Sequence, residues 1–330
     1  MPPLAIPSNE RAPYRALWDR LRAAQDILLV SPKRPDGDSL GSICGMWSAL
    51  RFIGKSATLF CVDPAPPTYG MLPGIHMLAV GAPALHHRTF DVIIVVDAGD
   101  LDFAGIRAEL PQWKRSGGAL VVIDHHATNT RFGDVNCVIT TAASTTEVIT
   151  RILQVNAVPI TPATATALLF GLVYDTDGFS NPATSVTAAA TAAALLAAGA
   201  QMGPILRAQY RSKPIGSFQL WGRAFERLVM HPRWQVATTV LLPEDFAACG
   251  AESTEGLANF LQNVLPAKAV LVLKDSGTGM VRGSFRTLRN DVDLGALAEH
   301  LGGGGHRKAS GFGVPGRVVR EGDRWRVVVQ

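Results

Sequence analysis

Two aspartates one residue apart, Asp36 and Asp38, follow an apolar run in the segment ILLVSPKRPDGDSLGS. Two carboxylates at the end of a buried strand repel one another, and a bound cation commonly offsets that repulsion. Further carboxylates and imidazoles end other apolar runs: Asp97 after VIIVV, Asp124, His125 and His126 after LVVI, and Asp175 after GLVY. Oxygen ligands with one or two histidines suit Mn²⁺ or Mg²⁺ better than a metal that prefers thiolates.

Strands that alternate with helices are expected to bring these side chains together. Apolar runs predict strands at 26–30, 57–62, 91–97, 119–124 and 136–140, and helical patterns lie at 11–24, 39–53, 144–154, 162–173 and 184–198. The runs at 91–97 and 119–124 are continuous, which is typical of strands covered on both faces. This order predicts an α/β fold with a doubly wound, mostly parallel sheet. Ligands bind at the carboxyl ends of the strands in such sheets.

Each of these aspartates also has a simpler interpretation, because an aspartate after a strand often caps a helix or forms a turn. Convergence of the whole set on one sheet edge is much harder to explain in that way. Ser39 and Ser144 are expected to begin two of the helices, the latter with Glu147 in a capping box. The convergence therefore carries the metal-site hypothesis.

The pattern changes after Gly199, where polar helical stretches precede a second group of strands. The runs WQVATTVLL, AVLVLK and MVRGSFR predict strands with two helices among them. At 330 residues the chain is long for a single core. We therefore predict a first domain at 1–200, a helical connector at 201–232 and a smaller α+β domain at 233–330.

Composition excludes several classes of protein. The chain is 47% hydrophobic and 18% charged, as expected of a globular protein, and its net charge of +4 argues against coating nucleic acid by bulk electrostatics. Its four cysteines are scattered, which predicts a reducing compartment and neither disulfides nor a zinc site. No signal peptide is evident, and the apolar run at 186–200 is too short to span a bilayer. We expect a cytoplasmic protein without a membrane partner.

Four segments resemble the motifs of the DHH phosphoesterase family in order and spacing: PDGDSLGS, VVDAGD, VIDHHATN and GLVYDTDGF. The segment ASTTE at 143–147 is similar to the one that follows the DHH triplet. GSFRTL at 283–288 and GGGGHRKASGF at 302–312 resemble the accompanying DHHA1 domain. The resemblance covers residues 11 to 315 and points to the oligoribonuclease (nanoRNase) and cyclic-dinucleotide phosphodiesterase type of this RecJ-like superfamily.

The resemblance implies a two-metal site in the cleft between the two domains, with Mn²⁺ expected and Mg²⁺ as the alternative. Asp97 would bridge the ions, and the remaining ligands would be Asp38, His125 and Asp175 for one ion and Asp36 for the other. Asp124 would orient a histidine from the second shell. His126 would face the substrate phosphate, so His126 and Asp97 are the expected catalytic residues.

One position departs from the family pattern. Family members commonly carry a histidine four residues before the first DGD aspartate, and this chain has Pro32 there. Proline offers no side-chain ligand, so the first ion is expected to bind more weakly than the second. Extra water, or the charge of Lys33 or Arg34, could stand in for the missing ligand.

The second domain is expected to bind the substrate. The resemblance assigns this role to Ser284, Arg286, Gly303, Gly304, Gly305 and His306. A run of glycines lets backbone N–H groups approach an anion, and arginine can bind a phosphate with two hydrogen bonds. The structural alternative is that the glycines merely end the helix at 293–301, for which one glycine would suffice.

The combined interpretation is a Mn²⁺-dependent phosphodiesterase or exoribonuclease that activates water with two metals. Its expected substrates are short RNA and linear dinucleotides such as pApA, with cyclic di-AMP as a further candidate. One alternative is a 3′-phosphoadenosine 5′-phosphate phosphatase. Another, from a different class, is a catalytically silent nucleotide-binding protein, motivated by Pro32. Long-duplex nucleic acid is not expected as a partner, and a homodimer is compatible with the sequence.

Overall fold

The computed structural model describes residues 4–210, 214–250, 254, 256–322 and 324–328. Its chain divides into two compact units, Met1–Ser212 and Lys213–Gln330. Each unit contains its own sheet and its own apolar core, so each is described by itself.

The first unit is an α/β layer structure. Its strands are β1 (Ile27–Val30), β2 (Ala57–Cys61), β3 (Ala79–Val80), β4 (Phe90–Val96), β5 (Lys114–Asp124) and β6 (Val135–Val138). Its helices are α1 (Ser8–Ala23), α2 (Gly37–Phe52), α3 (Leu101–Ala104), α4 (Leu110–Trp113), α5 (Thr145–Val155), α6 (Pro162–Asp175), α7 (Val186–Ala197) and α8 (Met202–Tyr210). Three 3₁₀ turns occupy Pro67–Tyr69, Ile75–Met77 and Ala82–Leu85.

The sheet of this unit has six strands in the order β3-β2-β1-β4-β5-β6, and every neighbouring pair is parallel. Successive residues of β4 belong to opposite cores: Val92 and Ile94 pack in one apolar cluster, and Ile93 and Val95 pack in another. Both faces of the strand are therefore covered, which explains its continuous apolar run. The predicted parallel, doubly wound α/β fold is confirmed.

The second unit contains a mixed sheet. Its strands are β7 (Val229–His231), β8 (Val236–Leu241), β9 (Ala269–Asp275), β10 (Met280–Arg286), β11 (Gly304–His306), β12 (Ala309–Pro315), β13 (Arg317–Glu321) and β14 (Arg324–Val328). Its helices are α9 (Ile215–Glu226), α10 (Pro243–Cys249), α11 (Leu257–Val264) and α12 (Leu294–His300). Strand order is β11-β12-β10-β9-β8-β7, with only β8 and β9 parallel, and β13 pairs with β14 in a separate hairpin.

This α+β unit agrees with the predicted smaller domain, whereas the exact limits at 200 and 232 stay predictions. The segment expected as a helical connector contains α8, α9 and also the short strand β7. Among the described helices, none alone is long and apolar enough to cross a membrane, and α7 with Met202–Ala208 meets that condition only as a pair bent by 119°.

Candidate metal centre

Asp97 and Asp124 lie at the carboxyl ends of neighbouring parallel strands. Asp97 follows β4 directly, and its N–H donates to the Ile123 carbonyl at 3.0 Å, which extends the ladder between β4 and β5. Asp124 is the last residue of β5 and is fully buried. Asp97 has a left-handed backbone with φ +54°, which aspartate tolerates better than most residues. The backbone therefore turns sharply directly after β4, at the residue that carries this carboxylate.

The first turn of α2 carries the paired aspartates. Asp36 is the N-cap: its carboxylate accepts from the N–H of Ser39 at 3.0 Å, and the Ser39 hydroxyl accepts from the Asp36 N–H at 2.9 Å. The helix start predicted at Ser39 is therefore wrong, because the cap lies three residues earlier. Asp38, in the first turn of the helix, is fully buried. One aspartate of the pair thus also has the simpler capping role.

A short loop and the first turn of α5, residues 142–146, bind the buried carboxylates; we call this segment the threonine turn. Asp38 accepts hydrogen bonds from the Thr145 N–H at 2.6 Å, the Thr146 N–H at 3.0 Å and the Thr146 hydroxyl at 2.9 Å. The Thr145 hydroxyl donates to Asp97 at 3.0 Å. The Ala142 carbonyl lies 3.3 Å from Nδ1 of His125. One segment therefore fixes three of the predicted ligands.

His125 presents its other nitrogen to the acidic side chains. Nε2 lies 3.1 Å from Oδ2 of Asp175 and 3.7 Å from Oδ1 of Asp97. This buried nitrogen has no aligned hydrogen-bond partner among the described residues. Ligand atoms of Asp38, His125 and Asp175 lie within 4.8 Å of one another. A buried nitrogen without a partner, facing several carboxylate oxygens, fits a divalent cation.

A second group shares His125 and adds the rest of the DHH triplet. Ligand atoms of Asp97, Asp124, His125 and His126 also lie within 4.8 Å of one another. Oδ1 of Asp124 accepts from the N–H groups of both histidines and lies 2.9 Å from Nδ1 of His126. Asn129 donates to the other oxygen of Asp124 at 2.6 Å. Asp124 is therefore saturated with donors and orients His126, whose side chain is 44% exposed.

Without a cation, the buried carboxylates of the cluster repel one another. Burial, followed by the negative charge of Asp175, raises the pKa of Asp38 to about 7. Burial, followed by the charges of Asp38 and Asp36, raises the pKa of Asp97 well above its usual value. The pKa of Asp36 is also raised, again by burial first and by Asp175 among the charges. Of the predicted ligands, Asp36 alone belongs to neither group of described residues whose ligand atoms lie within 4.8 Å of one another.

The pKa values of His125 and Asp124 are shifted in opposite directions. Burial disfavours the charged form of His125, but its contact with Asp175 and the charge of Asp38 outweigh burial and raise the pKa of His125 to about 9. Burial would raise the pKa of Asp124, but hydrogen bonds from His126 and Asn129 outweigh it and hold that pKa below its usual value. A cation would supply the positive charge that the remaining carboxylates lack.

Pro32, which stands where family members commonly carry a histidine, is buried. The Pro32 carbonyl accepts from the Cys61 thiol at 3.1 Å. Lys33 extends along Gly105, and the backbone N–H of Arg34 donates to Asp63 at 2.7 Å. Among the described residues, neither cation forms an ion pair with the acidic cluster. The contacts of Lys33 and Arg34 therefore do not support the expectation that their charge stands in for the missing metal ligand.

In the second unit, the strand register places four of the six predicted substrate-binding residues on one face, whereas Gly305 belongs to the opposite face with Phe285. Arg286 pairs with Ala309, which pairs with His306 on the next strand. In the neighbouring row, Ser284 pairs with Gly311, which pairs with Gly304. Directly paired residues point to the same side of a sheet, as do residues two apart along a strand. Arg286, Ser284, Gly304 and His306 therefore share a face.

The four consecutive glycines at 302–305 have different structural roles. Gly302 has φ +72° just after α12, as expected of a helix end. A Cβ at Gly303 would lie 2.1 Å from the Gly311 carbonyl oxygen, and Gly305 combines φ +135° with an equally crowded backbone. A Cβ at Gly304 would meet nothing within 4 Å. Packing and backbone conformation therefore explain three of the glycines and leave Gly304 unexplained.

Comparison with known families identifies two domains. The profile of the DHH family, N-terminal domain, matches residues 26–172, and that of the DHHA1 domain matches residues 238–323. The chain therefore contains a DHH domain and a DHHA1 domain. The DHH match contains every candidate metal ligand except Asp175, and the DHHA1 match contains all the predicted substrate-binding residues.

Relatives of this chain match it over most of its length. A bifunctional oligoribonuclease and PAP phosphatase NrnA from Thermus thermophilus is 28% identical over 322 aligned positions, and the match covers 92% of this chain and 91% of the relative. The NrnA of Bacillus subtilis is 25% identical over 295 aligned positions, with 87% of this chain and 89% of the relative covered. The cyclic-di-AMP phosphodiesterase GdpP of Geobacillus thermodenitrificans is 26% identical over 306 aligned positions, with 88% of this chain but 45% of that protein covered.

A solved structure has the same fold as this DHH/DHHA1 chain. The crystal structure of an exopolyphosphatase-related protein from Bacteroides fragilis superposes with a TM-score of 0.81. It is 22% identical and covers 92% of this chain and 91% of its own. This likeness supports the fold of the DHH/DHHA1 protein and says nothing of its activity.

Several functional contacts of the DHH domain were not predicted as such. Thr145, Thr146 and Ala142 bind candidate ligands, and Asn129 binds Asp124. Thr145 and Thr146 lie in ASTTE, which Ala142 precedes, and Asn129 lies in VIDHHATN; both segments were interpreted only as resemblances to the family. The predicted capping box is half right: Ser144 accepts from the Glu147 N–H at 3.0 Å, but the Glu147 carboxylate accepts from Ala143 at 2.8 Å. Runs of short polar residues before a helix are the signal for such carboxylate binding.

Proposed function

We propose that this protein is a metal-dependent phosphoesterase that hydrolyses short oligoribonucleotides and linear dinucleotides such as pApA. The observation that carries the proposal is the convergence of Asp38, Asp97, His125 and Asp175 at the carboxyl ends of a parallel sheet, within a DHH domain. Convergence of remote carboxylates and a partnerless imidazole nitrogen is what hydrolysis with divalent cations requires.

The proposed roles follow from the contacts. Divalent cations bound there would supply an activated water and would neutralise charge on the phosphoryl group. We assign Asp38, Asp97, His125, Asp175 and Asp36 as ligands, with Asp97 between the two ions. The threonine turn keeps Asp38 and Asp97 in place before any ion arrives. His126, held through Nδ1 by Asp124, is exposed and is proposed to face the scissile phosphate through its free nitrogen.

The DHHA1 domain is proposed to hold the rest of the substrate. Arg286, Ser284, Gly304 and His306 share a face of the sheet, and Gly303 and Gly305 shape the strand beside them. Backbone N–H groups beside a glycine and an arginine fork both suit phosphate. A role for these residues in ground-state binding predicts effects on KM more than on kcat.

The relatives support the class of substrate. The NrnA proteins of two bacteria carry the description oligoribonuclease and PAP phosphatase, and GdpP carries that of a cyclic-di-AMP phosphodiesterase. The bifunctional description makes 3′-phosphoadenosine 5′-phosphate the second candidate substrate. Cyclic di-AMP is the third, since the chain matches less than half of GdpP. The proposed partners are therefore short RNA or dinucleotides, with neither membrane nor long duplex, and a homodimer is left to measurement.

Mn²⁺ is the proposed metal, with Mg²⁺ as the alternative, because the donors are oxygen and imidazole nitrogen. Two ions are proposed, and the first is the weaker because Pro32 has no side-chain ligand atom. A Pro32→His variant should tighten the weaker ion, as measured by equilibrium Mn²⁺ binding. Two tightly held ions in the unaltered protein would contradict this part of the proposal.

We further propose a division of the chain into a DHH domain at 1–200, a helical connector at 201–232 and a DHHA1 domain at 233–330. A cytoplasmic location is proposed on the free state of all four cysteines, Cys44, Cys61, Cys137 and Cys249.

One assay tests the activity and its rivals. The protein is incubated with Mn²⁺ and, separately, pApA, labelled short RNA, 3′-phosphoadenosine 5′-phosphate and cyclic di-AMP, alongside Asp97→Ala as the control. We expect mononucleotide from pApA and short RNA, and none with the variant. Phosphate release without mononucleotide would favour the phosphatase. Binding of all four without turnover would favour the silent nucleotide-binding protein.

A further inference from the structure

Helices α2 and α6 contact one another through their backbones, because each carries a glycine at the contact. A Cβ at Gly41 of α2 would lie 2.7 Å from the Ala167 carbonyl oxygen and 3.1 Å from the Gly171 nitrogen of α6. Side chains at these positions would hold the two helices farther apart. The candidate ligand Asp38 lies three residues before Gly41, on the same face of α2. Asp38 therefore leaves its helix beside this contact.

Gly171 lies against the carboxylate of Asp38 and against the side chain that holds this carboxylate. A Cβ at Gly171 would lie 2.7 Å from Oδ1 of Asp38, 2.5 Å from Cγ2 of Thr146 and 2.9 Å from the Thr146 hydroxyl oxygen. Heavy atoms in a packed interior do not approach a Cβ this closely. An alanine at this position would therefore force Asp38 or Thr146 to move.

Neither neighbour of Gly171 is free to move. Asp38 and Thr146 are both fully buried. Oδ1 of Asp38 accepts from the N–H and the hydroxyl of Thr146, and Oδ2 accepts from the Thr145 N–H at 2.6 Å. The Thr146 hydroxyl oxygen also lies 2.8 Å from that of Ser144. A shift large enough to admit a methyl group would therefore break hydrogen bonds that orient the Asp38 carboxylate.

The same glycine bears on the distance between two candidate ligands. Asp175 is the last residue of α6 and lies four residues, about one helical turn, after Gly171. Asp38 and Asp175 come from different helices, yet their ligand atoms and that of His125 lie within 4.8 Å of one another. The separation of the two carboxylates therefore depends on how closely α2 approaches α6, which a side chain at position 171 would change.

We propose that Gly171 is a positioning residue of the metal centre: its lack of a side chain lets Asp38 reach the threonine turn and sets the distance from Asp38 to Asp175. The inference rests on the proposed function, because it assumes that these carboxylates bind cations. In this role Gly171 acts through Asp38 and Thr146 and contacts neither ion nor substrate. A glycine that served close helix packing alone would affect stability and leave metal binding unchanged.

Gly171→Ala tests this role in the full chain, with the metal ion alone as the probe. Equilibrium binding should show a loss of about 10-fold or more in Mn²⁺ affinity, as expected when a group that orients a metal ligand is displaced. The visible spectrum of bound Co²⁺, which reports the geometry of its ligands, should differ from that of the unaltered protein. In chelator, hydrogen exchange of the Thr145 and Thr146 amides should become faster, because their bonds to Asp38 are weakened.

Gly45→Ala is the matched control. Gly45 lies one turn after Gly41 on the same face of α2, and a Cβ there would lie 2.7 Å from Cδ2 of Leu168, the movable end of a side chain. This variant should leave Mn²⁺ affinity, the Co²⁺ spectrum and exchange of the threonine amides unchanged. All three are measured at a temperature where each variant is folded, as judged from its Tm.

A second substitution tests the mechanism and serves where Gly171→Ala alone is poorly folded. Thr146→Ser removes the methyl group that the new Cβ would meet most closely and keeps the hydroxyl that donates to Asp38. The double variant Gly171→Ala with Thr146→Ser should fold better and recover part of the Mn²⁺ affinity. In an Asp38→Asn background, Gly171→Ala should cause little further loss, because both changes act through one carboxylate.

Four results would overturn the inference: unaltered Mn²⁺ affinity and amide exchange in a folded Gly171→Ala protein, an equal loss in Gly45→Ala, a full further loss in the Asp38→Asn background, or an unaltered protein that binds no Mn²⁺. Failure of the proposed function looks different, since it appears as absent turnover of pApA and short RNA by a protein that binds Mn²⁺. Loss of Mn²⁺ affinity in Gly171→Ala would support the positioning role even then.

Discussion

The carboxylate of Asp38 accepts three hydrogen bonds from Thr145 and Thr146, yet burial and the neighbouring charge of Asp175 raise its pKa to about 7. Close hydrogen bonds normally favour the charged form, so the upward direction shows that desolvation and repulsion dominate here. His125 responds oppositely to the same surroundings, because carboxylates stabilise its cation and raise its pKa to about 9. Both residues hold protons more strongly in the folded chain than in the unfolded chain.

This property predicts the pH dependence of stability without metal. In chelator, the unfolding temperature should fall as the pH rises from 5.5 to 8.5. The Asp38 contribution is lost as the pH rises from its unfolded value of 3.8 through about 7, and that of His125 is lost from 6.5 through about 9. Saturating Mn²⁺ should reverse the trend, because cations bind deprotonated ligands.

Thermal unfolding followed by circular dichroism at several pH values checks this prediction. Asp38→Asn removes one titrating group and should flatten the slope, with about 2–4 °C of unfolding temperature per kcal/mol for a domain of this size. A stability in chelator that rises with pH over this range would contradict the proposed strain in the cluster.

Gly304 allows a second prediction for a single residue. Gly304→Ala should leave the unfolding temperature unchanged, because a Cβ there meets nothing within 4 Å. If the face it shares with Ser284 binds substrate, the added methyl should raise KM for pApA several-fold with little change in kcat. Steady-state kinetics with Mn²⁺ provide the measurement.

Gly303→Ala is the matched control for that substitution. Its Cβ would lie 2.1 Å from the Gly311 carbonyl oxygen, so it should lower the unfolding temperature markedly. An unchanged KM for pApA in a stable Gly304→Ala protein would contradict a role of the glycine run in substrate binding. The run would then have a structural role only.

At the scale of elements, the threonine turn links the metal centre to the helices behind it. Glu147, in the first turn of α5, accepts from the Ala143 N–H at 2.8 Å and from Arg151 at 2.6 Å. Arg151 also donates to both oxygens of Glu10 on α1, and Tyr14 donates to Glu10 at 2.8 Å. These side chains are buried, so an ion-pair network between α1 and α5 supports the segment that holds the ligands.

Arg151→Met should therefore affect metal binding as well as stability. It leaves Glu147 and Glu10 buried without their cation, which costs about 3–5 kcal/mol of unfolding free energy. Loss of support behind the ligands should also weaken Mn²⁺ binding by ~10-fold or more. Both quantities are measured at a temperature where the variant is fully folded.

Two further variants separate support from stability. Arg107→Met removes an exposed partner of Asp102 in the same domain and should alter neither quantity. Arg151→Lys keeps the charge and should recover part of the Mn²⁺ affinity. Unaltered Mn²⁺ affinity in a folded Arg151→Met protein would mean that the network contributes to stability and not to metal binding.

The elements could be predicted from the sequence wherever burial imposed a long pattern. β4 and β5 have continuous apolar runs because both faces are covered, and their predicted positions are correct within a few residues at the carboxyl ends. β3 has two residues and β11 has three, too few to produce a periodic pattern. The start of α2 was misplaced because two residues, Asp36 and Ser39, could both cap it.

The site was predictable only in part, for a similar reason. Aspartates and histidines at strand ends are visible in the sequence, and the structure brings Asp38, Asp97, His125 and Asp175 together. The partners of these residues are backbone groups and short hydroxyl side chains, which no pattern distinguishes from ordinary caps.

On the scale of the whole molecule, both domains contribute candidate binding groups of different chemistry. The DHH domain gathers carboxylates and imidazoles, whereas the DHHA1 domain gathers cations and glycines. In the proposed function, the first domain takes its cations from solution, and the second domain binds anionic groups of the substrate. NrnA relatives match both domains over about nine-tenths of their lengths, which agrees with a function that requires both.

Equilibrium binding of Mn²⁺ to the full, chelator-treated chain, compared between the unaltered protein and Asp97→Asn, tests the metal centre most directly. Asp97→Asn keeps the size of the side chain but removes the charge proposed to lie between both ions. The unaltered protein should bind two Mn²⁺ ions with unequal affinities, and the variant should lose at least ~10-fold in affinity for each. Equal Mn²⁺ affinity in the two proteins, both folded, would contradict the claim that these side chains form a metal site.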